Sequence, residues 1–457
     1  MTSFIITDIA HGLTGLPDKF ARFTGSIRVE NGIISEIGDL APRLDEAQVS
    51  ARGCVVCPGF VNTHHHLFQS AMKSVPGAIN SGLDQWVLEA PYTFWPQLDE
   101  RAMEISVLIG LVELALSGTT TVADQHYIFS SRYDYDPAEV LIRVANKFGM
   151  RFMLGRGGLT HGRPWHRDGL PPPPTETVDQ ICLGLEYAAK RWHDPSPFAM
   201  SKVAAAPVTT VFNLGEGESR EIAAAARSLG LRLHTHLSEN DTYVEATLKK
   251  FGMRPVEWMA EQGWTGPDVW FAHLVKCSDS ELQLLAETGT SMAHCPQSNA
   301  RLGSGVARAP EFARMGGNVS LAVDGTAANE AGDMAQALYA AFTMHRAVGQ
   351  PNSTSAETVL GWATAGGAKA LGFDGVGTIE VGKAADIVLL DLDHPRYFGQ
   401  HDLTISPIIS GGQFNIRRSY VAGNELVVNG KIPWLDLESL REEAQKVVSR
   451  MVKGRSN

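Results

Sequence analysis

Eight short apolar runs, several of them β-branched and each bounded by turn signals, punctuate the chain between residues 58 and 324. They are PGFVN (58–62), TTTVAD (119–124), RFMLG (151–155), KVAAAPV (202–208), LRLHT (231–235), VWFA (269–272), TSMAHC (290–295) and VSLAV (319–323). Their length and composition predict buried strands. Longer stretches between them carry helical spacing, such as EISVLIGLVELALSG (104–118), SREIAAAARSLG (219–230) and SDSELQLLAETG (278–289), the last with Leu282, Leu285 and Ala286 on one face. Strand alternating with helix eight times predicts an α/β fold of the (β/α)8 TIM-barrel type. In such barrels the reacting groups gather at the carboxyl ends of the strands.

The barrel takes residues 58–377 and leaves both chain ends over. Residues 1–57 read as short strands and turns (SFIITDIA, GSIRVENGIISEIGD), and so does the stretch after residue 377 (GTIEVGKAADIVLLDL, RRSYVAGNELVVNG). The two flanks, 1–57 and 378–457, are expected to pair into one small β-sandwich domain that is discontinuous in sequence. The final stretch differs, because Leu437, Leu440, Ala444, Val447 and Met451 fall on one helical face with Asp436 placed as N-cap. That helix is expected to dock on the barrel. With 457 residues, 44% of them hydrophobic, the chain can fill a large core and a smaller body beside it.

A net charge of −11 and the lack of a basic cluster exclude nucleic acid as the expected partner. No run of about 18 uncharged apolar residues occurs, and MTSFIITDIAHG does not read as a signal peptide, so no membrane partner is expected. Five cysteines are too few for a disulfide framework, and Cys54 and Cys57 lack the second pair that a zinc ribbon needs. The expected location is the cytoplasm, and the expected assembly a homo-oligomer, a dimer by default. A proline-rich run, LPPPPTET (170–177), follows RGGLTHGRPWHRDG in one long loop after the third strand. Such loops on a barrel's catalytic face commonly form lids or substrate walls.

The chemistry sits at the strand ends. His64 and His66 follow the first strand, His236 and Glu239 the fifth, His273 the sixth and Asp324 the eighth. Residues i and i+2 of a strand share a face, so His64 and His66 can chelate one ion while His65 faces the packing side. His236 adds a third nitrogen and Asp324 a carboxylate. This set suits one Zn²⁺ per subunit, or Fe²⁺, with a position left for water. The ion would bring the water's pKa toward about 7 and provide hydroxide for attack on an electrophilic carbon. Lys202 begins the fourth strand instead of ending it, so no lysine is placed to bridge a second metal. An isolated H-x-H pair or strand-end aspartate is ordinarily structural, but histidines falling at matched strand ends are not. His294 is a candidate for a place behind the ligands or against substrate. His126, His161, His166 and His345 read as structural or surface residues, His161 with room for a part in a lid.

PGFVNTHHH, HTHLSE, AHL, AHCPQSN and VDGTAANEAGDM together resemble the amidohydrolase superfamily, in its branch that deaminates amino-substituted heterocycles. The resemblance runs nearly end to end. It implies metal ligation by His64, His66, His236 and Asp324, and catalytic roles for Glu239, His273 and Asp324. Asp324 would take the proton of the attacking water, and Glu239 would carry one to the ring nitrogen beside the attacked carbon. His273 would polarise the substrate or orient the nucleophile. The zinc nucleoside-deaminase pattern, H-x-E with P-C-x-x-C, is absent.

HHHLFQSAMKSVPGA, AHCPQSNARLGSG and DHPRYFGQHD are most similar to the group acting on 8-oxoguanine and isoxanthopterin, both flat 2-amino-4-oxo bicycles. The resemblance implies hydrolysis of isoxanthopterin to 7-oxylumazine and ammonia. The alternatives are 8-oxoguanine or another aminopurine, and a triazine losing chloride or alkylamine. Gln69 is placed to read an amide-like ring edge, Arg156 to bind a carbonyl or enolate, and Trp86 and Trp95 to stack on a ring. The loop holding Trp165 and the four prolines tilts the expectation toward the larger pterin.

Overall fold

The computed structural model describes residues 3–16, 21–163, 170 and 172–455. All eight expected strands are present and parallel, side by side in chain order: Phe60–His65, Thr119–His126, Arg151–Arg156, Ser201–Ala205, Arg232–Leu237, Val269–His273, Ser291–His294 and Val319–Leu321. Nearly every residue in them is buried, as a parallel sheet covered by helices on its outer side requires.

The seam between the eighth strand and the first is closed largely by side chains. Thr63 Oγ1 donates to the Leu321 carbonyl (3.1 Å), and the Val323 amide donates to Asn62 Oδ1 (3.1 Å). One backbone bond then crosses it, from the Asp324 amide to the His64 carbonyl (3.1 Å). This closure sets the first and eighth strand ends against each other. Gly59, just before the first strand, lets it pack on the second, where a Cβ would collide with the Thr120 side chain.

Side-chain caps start the helical stretches. Asp99 Oδ1 accepts from the Ala102 amide (2.8 Å) to start Glu100–Leu116. Ser278 and Glu281 form a capping box that starts Asp279–Thr288 and buries Leu282 and Leu285. Among the described residues no helix is long and apolar enough to cross a membrane.

The chain ends build a second, mixed sheet of eight strands. Cys54–Pro58 pairs in parallel with Phe4–Leu13 and antiparallel with Ile387–Asp391, which stitches the C-terminal flank onto the N-terminal one. Cys54 and Cys57 are free and buried within it, and burial pushes both thiols up to about 12. The C-terminal helix Leu437–Arg455 begins where Asp436 Oδ1 accepts from the Glu438 amide (3.0 Å). It lies on Glu100–Leu116 with Leu440, Val447 and Met451 buried and with Arg101–Glu443 and Arg450–Asp99 ion pairs at its edges. Leu437, expected on the same face, stays 43% exposed.

One buried ion pair ties the two bodies together. Arg151, at the start of the third barrel strand, meets Asp386 through Nε (2.7 Å) and Nη2 (3.0 Å), and its Nη1 donates to the Phe198 and Ala199 carbonyls. Neither side chain is more than 2% exposed. Removing one partner strands a buried charge, which costs about 3–5 kcal/mol. Asp386→Ala is therefore expected to lower the urea unfolding midpoint markedly, and an unchanged midpoint would show that the pair is not a structural link.

Candidate active site

At the carboxyl end of the barrel one nitrogen from each of His64, His66 and His236 and one oxygen of Asp324 lie within 4.8 Å of one another, all four residues buried. Asp324 Oδ1 is 3.4 Å from His64 Nε2 and 3.5 Å from His66 Nε2. His66 Nε2 and His236 Nε2 are 3.2 Å apart.

The far sides of these rings decide where their protons are. His66 Nδ1 donates to the Gln125 carbonyl (2.8 Å) and His236 Nδ1 to the Val208 carbonyl (2.5 Å). Burial pushes the His66 imidazole down to about 3 and holds His236 well below its ordinary value, so both rings are neutral at pH 7. Each Nε2 is then a bare lone pair, and two such pairs 3.2 Å apart repel unless a cation lies between them. His64 Nε2, also buried, has no hydrogen-bond partner. Three imidazole nitrogens and a carboxylate turned on one point fit a divalent metal.

Glu239 and His273 adjoin this cluster. His273 Nε2 is 3.7 Å from Glu239 Oε2, and the His273 ring lies nearly parallel to that of His236 with centroids 5.3 Å apart. His273 Nδ1 donates to Asn299 Oδ1 (2.9 Å). Burial raises the Glu239 carboxyl above its usual range, with the charge of His273 opposing the rise. The backbone here is unusual. Ser238, His273, Leu274 and Asp324 have φ of 51°, 76°, 50° and 67°, the left-handed region that residues other than glycine seldom occupy. Clustering of this kind marks functional sites, and it turns these side chains at the strand ends.

A narrow cavity of about 30 Å³ opens on the cluster and is walled by Leu83, Trp86 and Val87 of one helix, Leu302, Tyr92, Tyr127 and Arg163. Trp86 is held there by its indole N–H, which donates to the Ala327 carbonyl (2.7 Å). Gln69 reaches the same cavity, its Nε2 donating to Tyr127 Oη (3.4 Å) and its buried Oε1 without a partner. Gly325 makes this possible, since a Cβ there would collide with Gln69 Oε1. A wider groove of about 510 Å³ between the C-terminal helix and the barrel shares no residue with this site.

Several expectations need correction. Arg156 does not face the cavity. Its guanidinium is forked onto Glu176 (2.6 and 2.8 Å), donates to the Gly157 carbonyl and lies 3.9 Å over the Phe129 ring. It secures the loop after the third strand, and Arg163, seven residues on, takes the place on the wall. Trp95 packs against Tyr133 and not in the cavity. His294 turns from the site to meet His345 (Nε2 to Nε2, 3.0 Å). His126 donates to the Ile128 carbonyl, and His161 lies at the surface. Lys202 Nζ donates to the Ser196 carbonyl at the start of its strand. Trp165, His166 and Pro171 lie outside the described residues. Sequence reasoning missed Arg163, Tyr127 and Asn299. Asn299, in the quoted AHCPQSN stretch, and Arg163, in the RGGLTHGRPWHRDG loop read as a lid or substrate wall, carried a signal.

Comparison with known proteins agrees. The amidohydrolase family model matches residues 55–426. The chain is 42% identical to an isoxanthopterin deaminase from an unknown prokaryotic organism, covering 97% of this chain and 96% of that protein. It is 33% identical to an 8-oxoguanine deaminase of Pseudomonas aeruginosa over 96% of this chain and 99% of that one. Among solved structures, an amidohydrolase from an environmental sample of the Sargasso Sea superposes with a TM-score of 0.87 at 41% identity, covering both chains fully.

Proposed function

The chain belongs to the amidohydrolase family, and on that premise we propose that it deaminates an oxidised pterin, converting isoxanthopterin and water to 7-oxylumazine and ammonia. The observation that carries the reaction class is a buried carboxyl, Glu239, set 3.7 Å from His273 beside three imidazole nitrogens and a carboxylate oxygen within 4.8 Å of one another.

His64, His66, His236 and Asp324 hold the metal, for which Zn²⁺ is our assignment and Fe²⁺ also suits the set. When bound, it supplies the Lewis acidity that makes water a nucleophile at neutral pH. Asp324 accepts the proton that the attacking water gives up. Glu239 gives its proton to the ring nitrogen beside the attacked carbon, takes up the hydroxyl proton of the tetrahedral carbon and passes it to the departing amine, and the proton held by Asp324 then returns Glu239 to its acid form. His273, fixed by Asn299, holds the substrate's polar edge, and the amino group leaves as ammonia while the carbon keeps the water oxygen. Gln69 Oε1, buried and unpartnered, is the acceptor for a ring N–H. The pterin is preferred over 8-oxoguanine because the greater identity, 42% against 33%, is to the isoxanthopterin enzyme. We assign catalysis to residues 58–377 and a supporting role to 1–57 with 378–457. A homodimer in the cytoplasm is the setting we propose, and the five free cysteines accord with a reducing compartment.

Ammonia release by the zinc-loaded protein from isoxanthopterin, pterin, 8-oxoguanine, guanine and cytosine at equal concentration tests this. Isoxanthopterin is expected to react fastest. Faster turnover of 8-oxoguanine would overturn the pterin assignment and leave the mechanism standing, whereas efficient release of chloride or alkylamine from triazines would overturn the leaving group.

A further inference from the structure

His66 and His236 each rest their outer nitrogen directly on a backbone carbonyl. His64 does not. Its Nδ1 lies 2.8 Å from Nε2 of another buried imidazole, His234, whose Nδ1 lies 2.9 Å from the Trp270 carbonyl. We propose that His234 is a positioning residue that fixes the proton of His64 on Nδ1 and so turns the His64 Nε2 lone pair to the metal. The inference rests on the metal reading above.

The argument runs inward from the carbonyl. A carbonyl oxygen only accepts, so His234 Nδ1 carries the hydrogen of that bond. The neutral ring has one N–H, which leaves His234 Nε2 bare and able only to accept. His64 Nδ1 must then donate, and His64 Nε2 is the nitrogen left without a hydrogen. Each step is forced by the one before. All three histidines thus reach a backbone carbonyl, two directly and His64 through a relay.

The relay ring is held in register. His234 pairs across the sheet with Trp270 and stacks on its indole, with centroids 4.4 Å apart and planes 15° from parallel. The indole N–H donates to the Thr63 carbonyl (3.0 Å), the residue just before His64. The same tryptophan therefore supplies the terminal acceptor, the stacking face and a tether to the strand of the ligand. Partners of this kind orient metal-bound histidines, and their loss weakens metal binding by about 10–100-fold.

The test compares His234→Phe, which keeps a stacking ring and removes the acceptor, with His234→Gln, whose amide oxygen can replace Nε2. Zinc affinity is read by competition with a chromogenic chelator. His234→Phe is expected to bind zinc about 10–100-fold more weakly than the parent, and His234→Gln to recover most of the loss. Equal affinity of His234→Phe and parent overturns the proposal, as does an equal loss in both variants, which would mean packing alone. ¹⁵N shifts of His234 in the zinc-loaded parent read the relay without any variant. A proton on Nδ1 supports it and one on Nε2 overturns it, even if His234→Phe fails to fold. A parent that binds no divalent ion overturns the metal reading itself, and the relay falls with it; a parent that binds normally beside an unaltered His234→Phe overturns only the relay.

Discussion

Replacing Glu239 by Gln is expected to leave the metal content unchanged and to lower turnover by about 10²–10⁴-fold. The amide has the volume of the carboxyl and can still hydrogen-bond, so the fold and the ligand set should persist. What it cannot do is give up and regain a proton. Glu239 is buried, and that burial raises its carboxyl above the usual range, which lets it hold a proton nearer neutrality than an exposed glutamate. Two transfers in the proposed reaction pass through this group, one to the ring nitrogen and one to the departing amine. The loss should therefore fall on kcat more than on KM, since substrate binding does not require the transfer. Metal analysis and steady-state kinetics on one preparation check this. Near-normal kcat with full metal would remove Glu239 from the mechanism.

The fold was legible because parallel strands covered on both sides read as uniform apolar runs, and every one of the eight runs became a barrel strand. The convergence of His64, His66, His236 and Asp324 was legible for a related reason. A histidine directly after such a run has nowhere to sit but the rim. The relay was harder to see. His234 shares a face with His236 by the period of two, so HTH looks like a second chelating pair. What separates them is the neighbour each meets, since His234 Nε2 lies 2.8 Å from His64 Nδ1 and not among the four converging ligand atoms. Nor does the sequence reveal the positive φ of His273 and Asp324, which depends on how the strand ends meet across the closed barrel. Arg156 and Arg163 show the limit in loops. Both lie in or after the third strand, and it is the contact with Glu176, 20 residues away, that takes the first out of the cavity.

His236→Ala is expected to lose metal and activity together. His236 contributes one of three lone pairs, and its Nδ1 bond to Val208 fixes it in place. Alanine leaves two imidazoles and one carboxylate around a space the width of a ring, without the chelate that made four donors converge. The fall in affinity should exceed the roughly 10–100-fold expected for losing an outer hydrogen-bond partner such as His234. At metal concentrations that saturate the parent, the variant should then be largely metal-free and its ammonia release at background. Full occupancy on metal analysis would take His236 out of the ligand set. The comparison with Glu239→Gln gives the result its meaning. Both variants are expected to be nearly silent in the same assay, but one silence should accompany an intact metal content and the other its loss. If Glu239→Gln also shed the metal, the carboxyl would be holding the ion and not the proton. If His236→Ala kept it, the bare nitrogens of His64 and His66 with Asp324 would be sufficient by themselves, and the role of His236 would move from the metal to the substrate.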